Sequence, residues 1–298
     1  MKADAYESIT AKIVAELEKG ERLWFKPWNA EHAAGRITRP LRSNGIPYRG
    51  INVVMLWGSA VEQGFFAPLW LTYKQAQELG GQVRKGEKGS LVIYANTISR
   101  SETDEATGEE HERDIPFMKG YTVFNAEQVD GLPARFCVVQ APALDPVARN
   151  AHAESFFAAT GAEIRHGGNQ AFYTAGADRV QMPAFETFRD AESYYSTLAH
   201  EVTHWTKHPR RLDRDFGRKS WGDEEYAMEE LVAELGAAFL SADLELTPEP
   251  RADHAAYIAS WLKVLKSDKR AIFSAAAHAQ RAADYLIGLQ PQAQEQAA

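Results

Sequence analysis

Residues 190–207 read DAESYYSTLAHEVTHWTK, and this stretch predicts one amphipathic helix that carries a metal site. Positions i and i+4 of a helix lie on the same face, so His200 and His204 can direct two imidazole rings at one ion. Glu201 lies beside that ion without binding it, where it can act as the general base of a hydrolase. A bound metal lowers the pKa of its water to ~7 and polarises a substrate carbonyl, which permits hydrolysis at neutral pH.

An ordinary helix with two surface histidines is the alternative interpretation of this stretch. Its neighbouring side chains argue against that alternative, because apolar residues flank the histidines at Tyr194, Tyr195, Leu198 and Trp205. Apolar residues at this spacing predict a helix that is half buried. We therefore predict a metal site on this helix rather than a solvated face.

A third metal ligand is expected from the next predicted helix, because a catalytic zinc takes three protein ligands and keeps its fourth position open. Its candidates, Glu229 and Glu230, follow the second histidine at a spacing similar to that of thermolysin-like zincins. Glu230 as ligand leaves Glu234, one turn away, as the carboxylate that orients a histidine. Glu229 is a near-equal candidate, since the small residues Ala233 and Gly236 on its face allow close helix approach.

The types of the candidate donor atoms predict which metal binds. Histidine and carboxylate ligands predict Zn²⁺, with Mn²⁺ or another divalent metal as the alternative.

The single cysteine, Cys137, excludes a thiolate zinc site and an internal disulfide framework, which favours a reducing, cytoplasmic setting. Residues 1–24 lack the apolar core of a secretion signal, and the apolar runs fall short of the roughly 20 residues of a membrane span. We expect no export and no membrane partner.

The charge distribution separates the two halves of the chain. The net charge is −8, which by itself argues against a nucleic-acid partner. Between residues 22 and 90, however, ten basic residues stand against four acidic ones, whereas from residue 141 onward 16 basic residues stand against 23 acidic ones. This asymmetry predicts a first half that meets an anion and a second half that does not.

Aromatic and basic residues are interleaved through the first half, which is typical of single-strand binding: bases stack on aromatic faces and basic groups follow phosphates. A core tryptophan and a solvated basic turn are the alternatives, because both are more common than DNA contacts. The predicted DNA contacts are Trp24, Lys26, Trp28, Arg39, Arg42, Tyr48, Arg49, Lys74, Arg84, Lys85 and Lys88.

The predicted fold class is α+β with two domains. Residues 1–140 are expected to form an α/β domain that binds single-stranded DNA, with a small antiparallel sheet. Within that sheet, residues 90–99 and 116–125 form a hairpin with an acidic tip. A linker at residues 140–146 then leads to a mainly helical, zincin-like metalloprotease domain at residues 147–298.

Longer motifs along nearly the whole chain resemble one family. In the first half they are PWN at 27–29, SNG at 43–45, YRGIN at 48–52, WLTYKQA at 70–76, KGEKG at 85–89 and YTVFN at 121–125. In the second half they are HEVTHW at 200–205 and YAMEELVAEL at 226–235. These motifs resemble the ArdC-type antirestriction proteins of conjugative plasmids, and similar N-terminal modules occur in plasmid primases.

The resemblance implies three things about this chain. Its N-terminal domain is expected to bind single-stranded DNA, and duplex DNA as a further candidate, without sequence specificity. Its C-terminal domain is expected to resemble a metallopeptidase, with a protein substrate or a restriction-enzyme subunit as partner. Together they are expected to protect incoming plasmid DNA from the recipient's restriction enzymes during conjugation, whether or not proteolysis is needed.

Two other functions stay open at this point. One is a DNA-tethered protease of the SprT type, which acts on DNA-associated proteins. The other is a DNA-binding module whose metal is purely structural. A structural site closes all four positions with protein ligands, and the sequence offers only three good ones.

Overall fold

The computed structural model describes residues 5–24, 38–103, 110–133, 136, 146–216, 224–246 and 254–291. The described helices of the first half are α1 (Ala5–Glu18), α2 (Ile51–Gln63) and α3 (Tyr73–Glu78). Its strands are β1 (Leu41–Arg42), β2 (Leu69–Leu71), β3 (Gln82–Val83), β4 (Ser90–Thr103), β5 (Glu110–Asn125) and β6 (Val129–Asp130).

The first half is built around a small, mainly antiparallel sheet, as predicted. Its strand order is β1-β2-β5-β4, with only β1 and β2 parallel, and β3 and β6 form a separate antiparallel pair. The β4–β5 hairpin is longer than predicted, because paired residues extend from Ser90–Val123 to Thr103–Glu110. A two-stranded antiparallel ribbon can pair its backbone groups beyond the rest of the sheet.

The second half is mainly helical, also as predicted. Its helices are α4 (Pro146–Ala159), α5 (Ala191–Trp205), α6 (Glu224–Asp243), α7 (His254–Ser267) and α8 (Ala271–Gly288). The strands β7 (Glu163–His166), β8 (Phe172–Thr174) and β9 (Arg179–Met182) form a sheet in the order β7-β9-β8. The strand β8 therefore lies at one edge of this sheet, and it contacts α5.

The two halves share one apolar core. The helix α1 packs on α7, and α2 packs on α8. Trp24, which follows α1, meets Trp261 of α7 edge to face at a ring-centroid distance of 6.0 Å, and both rings are fully buried. Because one buried cluster contains residues from α1, α2, α6, α7 and α8, each half covers apolar surface that the other would otherwise expose to water.

Buried polar contacts also join the halves. The Thr10 hydroxyl donates to the Lys269 carbonyl at 2.7 Å, and the Gly50 amide donates to the Gln280 side chain at 3.1 Å. The predicted boundary at residues 140–146 lies almost entirely outside the described residues and stays a prediction. Among the described residues, no helix is both long and apolar enough to span a membrane.

Candidate metal centre

The helix α5 begins as its sequence predicts. The Asp190 side chain caps it by accepting a hydrogen bond from the Ser193 amide at 2.8 Å. His200, Glu201 and His204 occupy its last two turns, and all three are buried. Buried polar side chains are stable only when they find partners, and those of His200 and His204 include glutamates of α6.

A glycine brings α5 and α6 close together. An ideal Cβ on Gly236 of α6 would lie 2.5 Å from the Thr203 Cγ2 and 2.8 Å from its Oγ1 on α5. Thr203 has little freedom to move away, because its hydroxyl donates to the Ala199 carbonyl at 2.7 Å. The close approach lets short carboxylate side chains of α6 reach the histidine rings.

Replacing Gly236 by Ala should therefore separate the two helices. We expect a loss of about 1–3 kcal/mol in the free energy of unfolding, as in other overpacked cores, although alanine favours helices more than glycine does. Metal affinity should fall as well, because the glutamates of α6 would lie farther from the histidines of α5. Urea denaturation and metal titration measure the two effects, and Gly288→Ala is the matched control because a Cβ there has no atom within 4 Å. Equal stability of the two variants would show that the close contact is unimportant.

The structure brings His200, His204 and Glu230 together. The two Nε2 atoms lie 3.1 Å apart, and each lies 3.5 Å from an oxygen of Glu230. Ligands at about 2.05 Å in a tetrahedral arrangement are separated by about 3.3 Å. The 3.1 Å between the two nitrogens is close to this value, and Glu230 offers each nitrogen a different oxygen at 3.5 Å, so the three side chains can share one small divalent cation.

Glu229 occupies a different position from Glu230. It accepts a hydrogen bond from the His204 Nδ1 at 2.8 Å, on the side of the ring that faces away from the three-donor cluster. Arg214, also buried, donates to both oxygens of Glu229 at 2.8 and 3.0 Å. The expectation that Glu229 serves as a ligand is corrected by this geometry, because both of its oxygens are already engaged away from the cluster.

Glu234 lies on the Nδ1 side of the other histidine, His200. One of its oxygens is 3.7 Å from the His200 Nδ1, and the other accepts from the Arg22 Nη1 at 3.3 Å. Both histidines thus turn Nε2 towards the cluster and Nδ1 towards a glutamate. Carboxylates in this position fix the tautomer and the orientation of a ligating imidazole.

The carboxylates shift the pKa values at the cluster. Burial would lower the pKa of His204, but the carboxylates of Glu230 and Glu229 outweigh burial and raise it to about 9. Burial would raise the pKa of Glu229, but hydrogen bonds from His204 and Arg214 lower it to about 2. The pKa of Glu230 is lowered as well, since the charge of His204 and a hydrogen bond from His200 outweigh burial. Both glutamates are therefore ionised at neutral pH, whereas His204 must lose its proton when a cation binds.

An open cleft of about 930 Å³ reaches the cluster. His200, Glu201, His204, Glu229 and Glu230 line it, together with aromatic and polar side chains. The latter include Phe172, Tyr173, Phe188, Lys207, Tyr226 and Tyr257. The edge strand β8 supplies two of them, so an extended chain bound in the cleft can run beside a strand.

Three predicted DNA contacts are corrected by the structure. Trp24 is fully buried against Trp261, and Tyr48 is only 3% exposed, so neither offers a face on which a base can stack. Arg39 is buried too, and it donates to both oxygens of Asp243 at 2.9 and 2.8 Å. All three residues hold the fold together instead. The predicted contacts Lys26 and Trp28 lie outside the described residues.

The other predicted DNA contacts are exposed. They are Arg42, Arg49, Lys74, Arg84, Lys85 and Lys88. Arg49 pairs with Asp284, and Arg84 pairs with Glu87 at 2.7 Å. A shallow cleft of about 750 Å³ opens near the last residues of this set. Its lining includes Tyr73, Arg84, Lys85 and Phe124, which we call the Tyr73 surface, and also the acidic residues Glu87 and Asp130, both paired with Arg84. Tyr73 is 45% exposed and meets Phe124 edge to face.

Comparison with known proteins places this arrangement in a family. A model of the N-terminal domain of anti-restriction factor ArdC matches residues 3–124, and a model of zincin-like metallopeptidases matches residues 151–278. The metal-free crystal structure of the antirestriction protein ArdC from plasmid R388 is 50% identical, with a TM-score of 0.81 over 96% of this chain and 98% of that one. The chain belongs to the ArdC antirestriction family.

Other ArdC relatives cover the chain from end to end. The Mn(II)-bound structure of R388 ArdC is 48% identical, with a TM-score of 0.80 over 98% of this chain and all of that one. The uncharacterized protein y4eC of Sinorhizobium fredii is 44% identical over 98% of this chain and 94% of its own length. A DNA primase TraC of Escherichia coli is 39% identical over 99% of this chain, which spans only 28% of the primase.

Sequence reasoning missed several residues at the centre of this ArdC-family chain. Tyr226 could have been found, because it precedes Glu230 by one helical turn on the same face. Arg214 and Tyr257 gave no local signal, since one lies in a loop and the other on a separate helix. The sequence places Arg22 in the basic, aromatic-rich first half and gives no signal of a role at the metal centre. The contact of Arg22 with Glu234 spans 212 residues of sequence.

Proposed function

We propose that this ArdC-family chain combines a divalent-metal-dependent peptidase with a surface for single-stranded DNA, and that it protects incoming plasmid DNA from restriction. One observation carries the peptidase part. A buried cluster of two histidines and one glutamate opens into a cleft whose lining also includes Glu201. Three protein donors with an open side are typical of catalytic metal sites, whereas structural sites are closed by a fourth ligand.

The donor set fits Zn²⁺ and Mn²⁺, because both accept imidazole nitrogen and carboxylate oxygen. We propose His200, His204 and Glu230 as the ligands, with Glu229 and Glu234 orienting the two histidines. The related R388 ArdC has a crystal structure with Mn(II) bound, which supports a divalent ion in this chain as well. When bound, such an ion supplies Lewis-acid polarisation of a carbonyl and makes water more acidic.

Side chains around the cluster supply proton transfer and a hydrogen-bond donor for the substrate. We expect Glu201 to take a proton from the attacking water and to pass it to the leaving amine. Tyr226 lies close to Glu230, and burial together with that carboxylate raises the pKa of its hydroxyl above its usual range. The hydroxyl is therefore protonated at neutral pH and can donate to a substrate carbonyl. Its partner, Tyr257, holds it at an oxygen–oxygen distance of 3.0 Å.

The DNA part of the proposal rests on the family and on the Tyr73 surface. R388 ArdC is an antirestriction protein, and the first half of this chain matches the N-terminal domain of that factor. On the Tyr73 surface an exposed aromatic ring adjoins the basic side chains of Arg84 and Lys85. Stacking on such rings and neutralisation of phosphates give binding without sequence preference.

Replacing Tyr73 by Ala should weaken binding of an oligo(dT) strand by about 1–3 kcal/mol, the usual contribution of one base stacked on an aromatic ring. Lys85→Ala should lower the slope of log affinity against log salt concentration by about 0.7, the value for one phosphate contact of a single strand. Fluorescence anisotropy at several salt concentrations measures both. Tyr94→Ala is the control, because Tyr94 is 49% exposed but lies outside the cleft. Equal losses in both tyrosine variants would place the binding surface elsewhere.

A conjugation assay tests whether hydrolysis serves protection. Plasmids that encode the wild-type chain or Glu201→Gln are transferred into a restricting recipient. If protection depends on proteolysis, the variant should leave the plasmid as sensitive as a deletion does. If protection depends on DNA binding alone, the variant should protect fully, and the peptidase then acts in another process.

A further inference from the structure

The metal centre contains two similar chains of contacts that start from different parts of the sequence. His204 is backed by Glu229, and Glu229 by Arg214 at 2.8 Å. The His200 Nδ1 faces a Glu234 oxygen at 3.7 Å, a longer contact than the 2.8 Å between His204 and Glu229, and Glu234 pairs with Arg22 at 3.3 Å. In each chain an imidazole, a carboxylate and a guanidinium follow one another, and every member is buried. Arg214 belongs to the metallopeptidase half, but Arg22 belongs to the ArdC N-terminal half.

Arg22 is held in place by the packing of the two halves. It lies between α1 and Trp24, whose ring packs on Trp261 of α7. Only 8% of the Arg22 surface is exposed, and burial lowers the pKa of its guanidinium despite the opposing effect of Glu234. Removal of one member of a buried ion pair is strongly destabilising, because it leaves the other charge poorly compensated.

We propose that Arg22 is a positioning residue of the metal centre, and that the N-terminal half thereby completes a site whose ligands all lie in the C-terminal half. This inference rests on the proposed metal site. Through Glu234, Arg22 sets the orientation of His200, so displacement of the N-terminal half weakens metal binding. By linkage, metal binding strengthens the docking of the N-terminal half to the same extent.

The direct test is the metal affinity of Arg22→Gln in the full chain. Zn²⁺ and Mn²⁺ are each titrated in competition with a chromophoric chelator. Loss of a group that orients a ligating histidine typically costs 10–100-fold in metal affinity, and we expect about tenfold because Arg22 acts through Glu234. The double variant Arg22→Gln/Glu234→Gln should bind metal no more weakly than Glu234→Gln alone, since both changes interrupt one chain of contacts.

A second buried arginine provides the matched control. Arg39 also joins the two halves, through Asp243, but it contacts neither histidine nor the glutamates behind them. Arg39→Gln should therefore leave the metal affinity unchanged while it weakens the contact between the halves. Equal losses in Arg22→Gln and Arg39→Gln would mean that both arginines merely stabilise the fold, and the proposal would be wrong.

Two further measurements keep the test decisive. Arg22→Lys retains the charge but lacks the planar fork, so it serves if Arg22→Gln does not fold, and it too should lose affinity. When the Zn²⁺-loaded Arg22 variant is compared with the Zn²⁺-loaded wild type, the imidazole ¹⁵N signals of His200 should shift. Those of His204 should stay in place, because Glu229 and Arg214 support that histidine. Unchanged His200 signals would overturn the proposal. A wild-type chain that binds neither metal would instead overturn the proposed function.

Discussion

Glu201→Gln should lower the rate of peptide-bond cleavage by about 10²–10⁴-fold, because the amide cannot take a proton from water. The substitution preserves the size of the side chain, and Glu201 is 2% exposed, so packing should not change. A fluorescein-labelled casein with added Zn²⁺ or Mn²⁺ serves as the substrate, in the presence and absence of a single-stranded oligonucleotide. The initial rate of fluorescence increase is the measurement.

The same variant must keep the properties that do not depend on proton transfer. Its metal affinity and its affinity for single-stranded DNA should equal those of the wild type. Glu186→Gln, an exposed position before α5 that does not line the cleft, controls for the loss of one negative charge and should cleave normally. Cleavage that survives in Glu201→Gln would remove Glu201 from the role of general base.

Glu230→Gln should abolish stabilisation by metal, whereas Glu229→Gln should only reduce it. At a metal concentration of 1,000 times the wild-type Kd, binding stabilises the fold by about 4.1 kcal/mol. Loss of a carboxylate that orients a histidine weakens affinity 10–100-fold, so Glu229→Gln should retain about 1.4–2.7 kcal/mol of that effect. Loss of a proposed ligand leaves two donors, and Glu230→Gln should show almost none. Denaturation with and without metal measures the difference.

The metal-free stabilities provide an internal check on these two variants. Glu229→Gln leaves Arg214 buried beside a neutral amide, so the metal-free variant should be less stable than the wild type. Both variants remove one charge from adjacent positions of α6, which makes each the control for the other. If Glu229→Gln lost more metal stabilisation than Glu230→Gln, the two roles would have to be exchanged.

The histidine pair could be predicted from sequence because its geometry is local. The spacing of His200 and His204 fixes their common face, and the cap at Asp190 fixes where α5 begins. The third donor could not be chosen in this way. Adjacent residues of a helix point about 100° apart, and the orientation of α6 decides which one faces the histidines. That orientation depends on Gly236 against Thr203 and on Arg214, which are tertiary contacts.

The predicted DNA contacts depend even more on tertiary packing, which the sequence does not reveal. Aromatic and basic residues that alternate along a chain look alike whether they line a groove or tie two halves together. Trp24 and Arg39 belong to the second kind, because Trp261 and Asp243 cover them from more than 200 residues away. The number of charged residues in a segment cannot distinguish the two cases, since an arginine in a buried ion pair is counted in the same way as one on an exposed basic surface.

The continuous apolar core between the halves has a consequence for inheritance. A cut near residue 140 would uncover the faces that α1 and α2 bury on α7 and α8, and each fragment would be prone to aggregate. Recombination that preserves function must therefore carry the two halves as one cassette. In the TraC primases, a region similar to almost the whole of this chain lies within a much longer polypeptide, which is the arrangement that this constraint favours.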